Sequence, residues 1–225
     1  MNHPHPLPVR SATLLLAGLF AGFIAPAGPA AACRARAADR TVNIALEDQF
    51  RTRHETLALR GDVVVLVYAE RRGAEAAHQL GCRLHTHFHP TATSVAATEW
   101  ARQPVVGPAG WPAGVRAPDV HAIPVACLPE VPKALHSVAR SRLRKESEHV
   151  PVWLDFEGVM RQRFGIVPDE PNVLVIDTHG CAHGVLTGHL DEVRFEELVR
   201  VVDGLRMQCL PERTAVVPAG AVQQR

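Results

Sequence analysis

Apolar and polar positions follow two different repeats along the chain, and the change between them marks the predicted elements. Every residue from Val63 to Tyr68 is apolar or aromatic, which predicts a strand buried on both faces. Apolar residues then recur at helical spacing at Ala77, Leu80 and Leu84, which predicts a helix from about Arg72 to His85. A buried strand that leads directly into an amphipathic helix is typical of α/β folds.

The second half of the sequence continues the alternation of strands and helices. Strands are predicted over 123–129, 152–156 and 173–179, with an antiparallel partner over 182–188. Helices are predicted over about 132–147, and from an N-cap at Asp191 onwards. Their apolar positions are Leu135, Val138 and Leu143 in the first helix and Phe195, Leu198, Val202 and Leu205 in the second. We therefore predict an α/β domain with a central mixed β-sheet flanked by helices.

Residues 90–121 interrupt this rhythm. The segment is rich in Pro and Gly, has no sustained period, and contains Trp100 and Trp111. An irregular segment of this length inside a domain is typically a functional loop or a disordered insertion. The two tryptophans would either dock a partner or cover the domain's own core.

The N-terminal segment differs in composition from the rest of the chain. The apolar run from Ala12 to Ala25 is shorter than the roughly 18 residues of a membrane-spanning helix, so we interpret residues 1–37 as a signal peptide. Cleavage would follow Ala32 or Ala37, and the alternatives are a lipid on Cys33 or an uncleaved anchor. All three interpretations predict a periplasmic or secreted domain, which we place over 41–208. We also predict a flexible tail over 209–225 and, after cleavage, no integral membrane segment.

Charge and cysteine spacing exclude some classes of function. The formal net charge of +1 gives no electrostatic case for nucleic acid or an anionic membrane as the main partner. Export permits disulfides, and the four cysteines beyond Cys33 allow three pairings that sequence leaves open: Cys82, Cys127, Cys181 and Cys209. No two cysteines are spaced as CxxC, which removes the local signature of a dithiol pair and of a zinc ribbon.

Two long stretches resemble one known superfamily. The stretch "PVWLDFEGVMRQRFGIVPDEPNVLVIDTHG" resembles the C-terminal half of redoxins, where a strand ending in Asp precedes a short helix, a cis-proline and an Ile-Asp strand with a Gly turn. Pro171 stands at the place of that cis-proline, although the span 165–171 is one residue longer than usual. The stretch "LEDQFRTRHETLALRGDVVVLVY" is similar to the redoxin opening. Over 44–206 the chain thus resembles the TlpA/AhpC-TSA-like redoxins, which implies a thioredoxin-like fold.

The same resemblance puts Arg72 and Glu75 where that superfamily carries its two redox cysteines. Thioredoxin chemistry needs a thiolate at a helix N-terminus and a second thiol that resolves the mixed disulfide. Neither thiol is present at these positions, so the chain resembles a CxxC-less branch similar to the YtfJ-type exported proteins. The resemblance leaves the biochemical role of that branch open.

We expect the altered junction to be a binding site without a cofactor, and we lean away from an enzyme. A helix N-terminus together with Arg71 and Arg72 suits a carboxylate or another anion. An exposed cis-proline segment at Pro171 would present backbone groups to an extended peptide or protein, with Glu75 beside it. The 90–121 insertion could then form a lid.

Two alternatives rest on the helix itself. Cys82, with His78 and His85 one turn away on either side, could serve a thiol oxidoreductase or peroxidase. With a lower expectation, His78, Cys82 and His85 could bind a metal, because they share a helical stripe, expected to be exposed, with Glu75 and His89.

Three other sets of polar residues have simpler interpretations. His179, Cys181 and His183 are expected in a solvated turn, with a disulfide or incidental metal binding as alternatives. Cys127 ends a predicted strand and is expected to behave as a small core residue. Asp155 and Glu157 could suggest paired-carboxylate chemistry together with Asp177, but Asp177 is better explained as a turn residue.

Overall fold

The computed structural model describes residues 41–210, which form one mixed sheet with helices around it. Its seven strands are β1 (Ala45–Asp48), β2 (Arg53–Glu55), β3 (Val63–Ala69), β4 (Val120–Cys127), β5 (Trp153–Asp155), β6 (Asn172–Ile176) and β7 (Ala182–Thr187). Its four α-helices are α1 (Ala74–Phe88), α2 (His136–Glu146), α3 (Val159–Phe164) and α4 (Glu192–Met207). The predicted signal peptide, and the predicted tail from residue 211 onwards, lie outside the described residues.

Strand β3 lies near the centre of the sheet, whose order is β2-β1-β5-β4-β3-β6-β7. It pairs with β4 in parallel and with β6 antiparallel, so both of its edges are occupied. All seven residues of β3 are buried, as the continuous apolar run predicts. Since side chains alternate between faces, Val63, Val65 and Val67 pack against α1 and α4, whereas Val64, Leu66 and Tyr68 pack with Met160 of α3.

Most predicted elements are present, with shifted ends. Helix α1 begins at Ala74, after a 3₁₀ turn over Arg71–Gly73, and buries the predicted Ala77, Leu80 and Leu84. The β6–β7 hairpin and the N-cap of α4 are confirmed, with Asp191 accepting a hydrogen bond from the Arg194 amide at 2.9 Å. The four predicted inward positions of α4 are buried. The predicted mixed sheet flanked by helices is thus confirmed.

Helix α2 differs from the prediction. It is shorter than 132–147, none of its residues is buried, and Leu135 and Val138 are 50% and 60% exposed. The expected inward apolar face is therefore wrong for these two residues. Arginines attach the helix instead, since Arg140 donates to the Asp48 carbonyl at 2.6 Å and Arg144 to the Gln49 carbonyl at 3.0 Å.

The irregular segment runs from Pro90 to Asp119, because β4 begins at Val120. Two 3₁₀ turns, Pro90–Ser94 and Ala97–Arg102, open it. We call residues 90–119 the insertion. The insertion docks at the C-terminal end of α1, where the Val106 amide donates to the Phe88 carbonyl at 2.8 Å. That end is opposite to Arg72, so the expectation of a lid over Arg72 and Pro171 is wrong.

Candidate functional site

The junction between β3 and α1 is built from backbone, not from thiols. After Ala69 the chain passes through Glu70 and the 3₁₀ turn Arg71–Gly73, and the Gly73 amide donates to the Glu70 carbonyl at 3.1 Å. Gly73 occupies the N-cap of α1, and no side chain caps the helix there. The first backbone N–H groups of α1 are thus left without a side-chain acceptor, at the positive end of the helix dipole.

Gly73 lies against the residue that precedes Pro171. A Cβ placed on Gly73 would come within 2.8 Å of both the carbonyl carbon and the carbonyl oxygen of Glu170. Real Cβ atoms essentially never approach backbone atoms so closely, so glycine is required here by space, at a φ of −82° that any residue can adopt. The fold therefore does bring the helix N-terminus and the proline segment together, as expected from the resemblance.

Asn172 holds the segment before Pro171 in this position. Its side chain is fully buried, and its amide donates to the carbonyls of Glu170 at 2.9 Å and Val167 at 3.2 Å. Its carbonyl accepts from the Val167 amide at 2.9 Å. These bonds close the 167–170 turn on itself. Sequence reasoning missed Asn172, and its only signal is an amide side chain at the start of an otherwise apolar strand.

Pro171 itself differs from the expectation of an exposed segment. It is buried, and its carbonyl accepts from the Gly188 amide at 3.0 Å. The exposed part of the segment is residues 167–170. The cis state of the bond before Pro171 stays a prediction.

Ion pairs surround the junction. Arg72 pairs with Asp169 at 3.1 Å, with side chains 80% and 53% exposed, and Glu70 pairs with Arg161 of α3. Glu75 accepts from Gln79 one turn along α1 at 2.8 Å. Among residues 41–210, no acceptor or anion pairs with the exposed Arg71 guanidinium. Of the predicted site, Arg71 and Arg72 therefore present cationic groups beside the helix N-terminus, whereas Glu75 is bonded within its own helix.

One thiol lies beside the junction in the register of the sheet, and it is buried. Cys127 ends β4, opposite Asp155 of β5, and is 5% exposed. Burial first, and then the charges of Asp155 and Glu70, raise the pKa of the Cys127 thiol to about 12 despite the opposing effect of Arg161. This thiol stays protonated at neutral pH, which agrees with the prediction of a core residue. No disulfide joins any two of the cysteines of the described chain, which are Cys82, Cys127, Cys181 and Cys209.

Cys82 lies on α1 with its sulfur 3.6 Å from Nε2 of His78. Burial, followed by the charge of Glu75, raises the pKa of the Cys82 thiol, which lowers its thiolate fraction and its reactivity. The predicted partner His85 is engaged elsewhere. Its ring stacks between His89, at a centroid distance of 4.5 Å, and Trp100, at 5.3 Å.

The helical stripe that contains His85 is expected to be exposed, and this expectation is wrong for its C-terminal part. His89 is 4% exposed, because the insertion covers it. Within residues 41–210, no group of three or more His, Cys, Asp or Glu side chains is arranged to hold a metal ion. The structure thus places His78 and Cys82 together and leaves His85 in a separate stack, and we identify no metal ligand in the described chain.

The β6–β7 turn is organised by Asp177. Its carboxylate accepts from the amides of His179 at 2.9 Å and Cys181 at 2.8 Å, and it pairs with Nε2 of His183 at 2.7 Å. The structural role predicted for Asp177 is confirmed. The expectation of a solvated turn is wrong for Cys181, which is 4% exposed.

Asp155 also has a structural role. Its two carboxylate oxygens accept from the amides of Val159 and Met160, each at 2.8 Å, and so cap α3. Both oxygens are therefore occupied by backbone donors, which leaves no paired-carboxylate site with Glu157.

No protein-family model matches the chain, and no curated protein matches it either. Solved structures do match. The exposed lipoprotein thioredoxin Etrx1 of Streptococcus pneumoniae is 13% identical, with a TM-score of 0.44, over 73% of this chain and 100% of that one. A secreted thiol-disulfide isomerase of Corynebacterium glutamicum is 14% identical, with a TM-score of 0.46, over 76% and 88%.

The peroxidoxin BcpB of Mycobacterium tuberculosis is 17% identical, with a TM-score of 0.42, over 77% of this chain and 97% of that one. Identities at this level concern the fold alone. No helix among the described residues is long and apolar enough to cross a membrane. From its own strand order and two-sided core, the chain has a thioredoxin-like α/β fold.

Proposed function

We propose that this protein is a non-catalytic binding module, whose Arg71 and Arg72 bind a carboxylate of a peptide or protein at the N-terminus of α1. The observation that carries the proposal is the exposed and unpaired guanidinium of Arg71 beside an uncapped helix N-terminus, within the described chain. Guanidinium groups bind carboxylates through two parallel hydrogen bonds, and the helix dipole adds a favourable field.

The Arg72–Asp169 pair supports an exchangeable site. Ion pairs as exposed as this one contribute only about 0–1 kcal/mol, because water screens them. A ligand carboxylate can therefore replace Asp169 at Arg72 at small cost. The 167–170 turn, held by Asn172, then forms a wall of the site beside Arg72.

The thiols of the described chain support binding over electron transfer. No thiol stands at the junction, Cys127 is buried with a pKa of about 12, and the pKa of Cys82 is raised. A dithiol exchange needs a thiolate near neutral pH and a resolving thiol beside it. The sequence of residues 1–37 supports the further proposal that this binding takes place outside the cytoplasm.

The test uses one peptide in two forms, with a free and with an amidated C-terminal carboxyl group, titrated into the ¹⁵N-labelled protein. We expect the free form to shift the amide signals of residues 71–76 and to bind several-fold more tightly. Arg71→Ala should abolish this preference, and the matched variant Arg200→Ala, on the exposed side of α4, should retain it. Equal binding of both forms, or no binding, would contradict the proposal.

The alternative function, a thiol oxidoreductase or peroxidase, depends on Cys82 and its neighbour His78 at 3.6 Å. It is tested by insulin reduction and peroxide consumption with the wild type and with Cys82→Ser. We expect no turnover in either protein. Turnover that is lost on the substitution would replace the binding proposal with a thiol enzyme.

A further inference from the structure

His85 contains an unusual buried nitrogen. Its Nε2 is the one buried side-chain nitrogen or oxygen among residues 41–210 that has no hydrogen-bond partner. The ring is enclosed by two parallel rings, His89 at an interplanar angle of 19° and Trp100 of the insertion at 13°. A buried polar atom without a partner costs free energy, so its presence requires an explanation.

His89, on the other side of the stack, ties together the two ends of the insertion. It directly precedes Pro90, and its Nε2 pairs with Oδ1 of Asp119 at 2.8 Å, where the insertion ends. Its Nδ1 faces the His85 carbonyl oxygen at 3.2 Å. Both ring nitrogens therefore lie within hydrogen-bond distance of an oxygen atom, which fixes the ring against both ends of the insertion.

The groups that face His85 act in opposite directions. Burial and the neighbouring His89 lower the pKa of His85, whereas the Trp100 carbonyl and Asp119 raise it by less. Asp119 is itself held in place, because its amide donates to Oδ1 of Asp62 at 2.7 Å and Oδ2 of Asp62 pairs with His121 at 3.1 Å. The closed arrangement thus favours the neutral form of the His85 ring.

We propose that the insertion is an acid-released cover, in which protonation of His85 undocks Trp100 and the 3₁₀ turn Ala97–Arg102 from α1. A proton on Nε2 would be a buried donor without an acceptor, and the neighbouring His89 ring, with its centroid 4.5 Å away, opposes a positive charge there. Release of Trp100 admits water to that nitrogen and relieves both penalties. The opened state exposes the indole of Trp100 together with the α1 face that it covers.

The sign of the effect follows from the direction of the shift. Because the pKa of His85 is lower in the closed state than its ordinary value of 6.5, the closed state binds this proton more weakly than the open state. Closure is therefore fully favoured above pH 6.5 and is weakened as the pH falls below it.

The experiment follows the full chain by hydrogen exchange at residues 97–102, with rates corrected for intrinsic exchange, between pH 7.5 and 5. We expect protection to fall several-fold in the wild type. His85→Gln, which cannot take up the proton, should keep the same protection at both pH values. His78→Gln, an exposed histidine on the same helix, should behave as the wild type.

A second readout applies if His85→Gln does not fold. In Trp100→Leu, which uncovers the ring, the NMR titration midpoint of His85 should move upward from its wild-type value towards 6.5. Unchanged protection in the wild type, an equal loss of protection in His85→Gln, or an unmoved His85 midpoint in Trp100→Leu would each overturn the proposal.

Discussion

At the scale of single residues, Gly73 has the most restricted position in the junction. It lies between Arg72 and Glu75, and the Glu170 backbone occupies the space of its missing Cβ. The contact joins positions 97 residues apart, so nothing in the local pattern of the sequence indicates it. What the sequence shows is only a glycine at the start of a helix, which has many ordinary explanations.

We expect Gly73→Ala to destabilise the protein by about 1–3 kcal/mol, because the added methyl group overlaps backbone atoms that cannot rotate away. Gly81→Ala is the matched control, since it lies within α1 with nothing within 4 Å of the added Cβ. It should stabilise by about 0.5–1 kcal/mol through helix propensity. Urea unfolding of both variants measures the difference, and a neutral Gly73→Ala would show that the contact is loose.

Asn172 gives a second prediction at this scale. Asn172→Ala removes three partly buried hydrogen bonds to the 167–170 turn, each of which contributes about 0.5–1.5 kcal/mol to the free energy of unfolding. The exposed Asn43, which bonds to Glu55 at 3.1 Å, is the control, and Asn43→Ala should cost well under 1 kcal/mol. Equal unfolding midpoints for the two variants would contradict this role of Asn172.

At the scale of elements, Arg206 of α4 fixes the insertion. It is 1% exposed, and it donates to the carbonyls of Pro118 at 2.9 Å and Val106 at 2.7 Å, and to Asp203. Arginine is seldom buried so completely, and here its donors satisfy backbone carbonyls of a segment that has no strand or helix of its own to do so.

We expect Arg206→Met to lower stability by about 2–5 kcal/mol and to remove hydrogen-exchange protection from 103–119, because the buried Pro118 carbonyl and the partly buried Val106 carbonyl both lose their donor. Arg200→Met, on the same helix but exposed, should change stability by less than about 0.5 kcal/mol. If Arg206→Met retained protection in the insertion, the segment would be held by its apolar contacts alone.

The sequence predicts a helix correctly where one apolar face of that helix packs against the sheet. The spacing of Ala77, Leu80 and Leu84 predicts α1 because these side chains do pack on β3. Apolar spacing also predicts helix α2, but Leu135 and Val138 are exposed, because arginine contacts with β1 attach that helix. The docking of the insertion could not be predicted, because ring stacking and carbonyl bonds to Arg206 leave no periodic signal.

At the scale of the whole molecule, stability should respond to acid in two steps. The first, below pH 6.5, belongs to His85, whose pKa is lowered mainly by burial. In the second, hydrogen bonds from His89 and the Val120 amide outweigh burial and lower the pKa of Asp119 from 3.8 to about 2. A lowered carboxyl pKa contributes stability above pH 3.8 that is lost as the pH falls towards 2.

Urea midpoints measured from pH 7.5 to 2 test this order. Asp119→Asn should be less stable than the wild type at neutral pH, and its midpoint should change less below pH 4, since the titrating group is gone. If the midpoints of the two proteins changed in parallel below pH 4, the loss of stability there would come from other carboxylates. The next candidate is Asp48, which has a lowered pKa and a hydrogen bond to His54.

The close approach of Gly73 to Glu170 also constrains how the molecule can move. With no side chain between them, any displacement of the 167–170 turn towards α1 must shift the helix along its axis or tilt it. Helix α1 has 15 residues, about 22 Å, and its far end carries the His85 ring. A ligand that shifts that turn would therefore change the packing of Trp100 against His85. Ligand binding at one end of α1 and protonation of His85 at the other end should thus be coupled through the position of the helix.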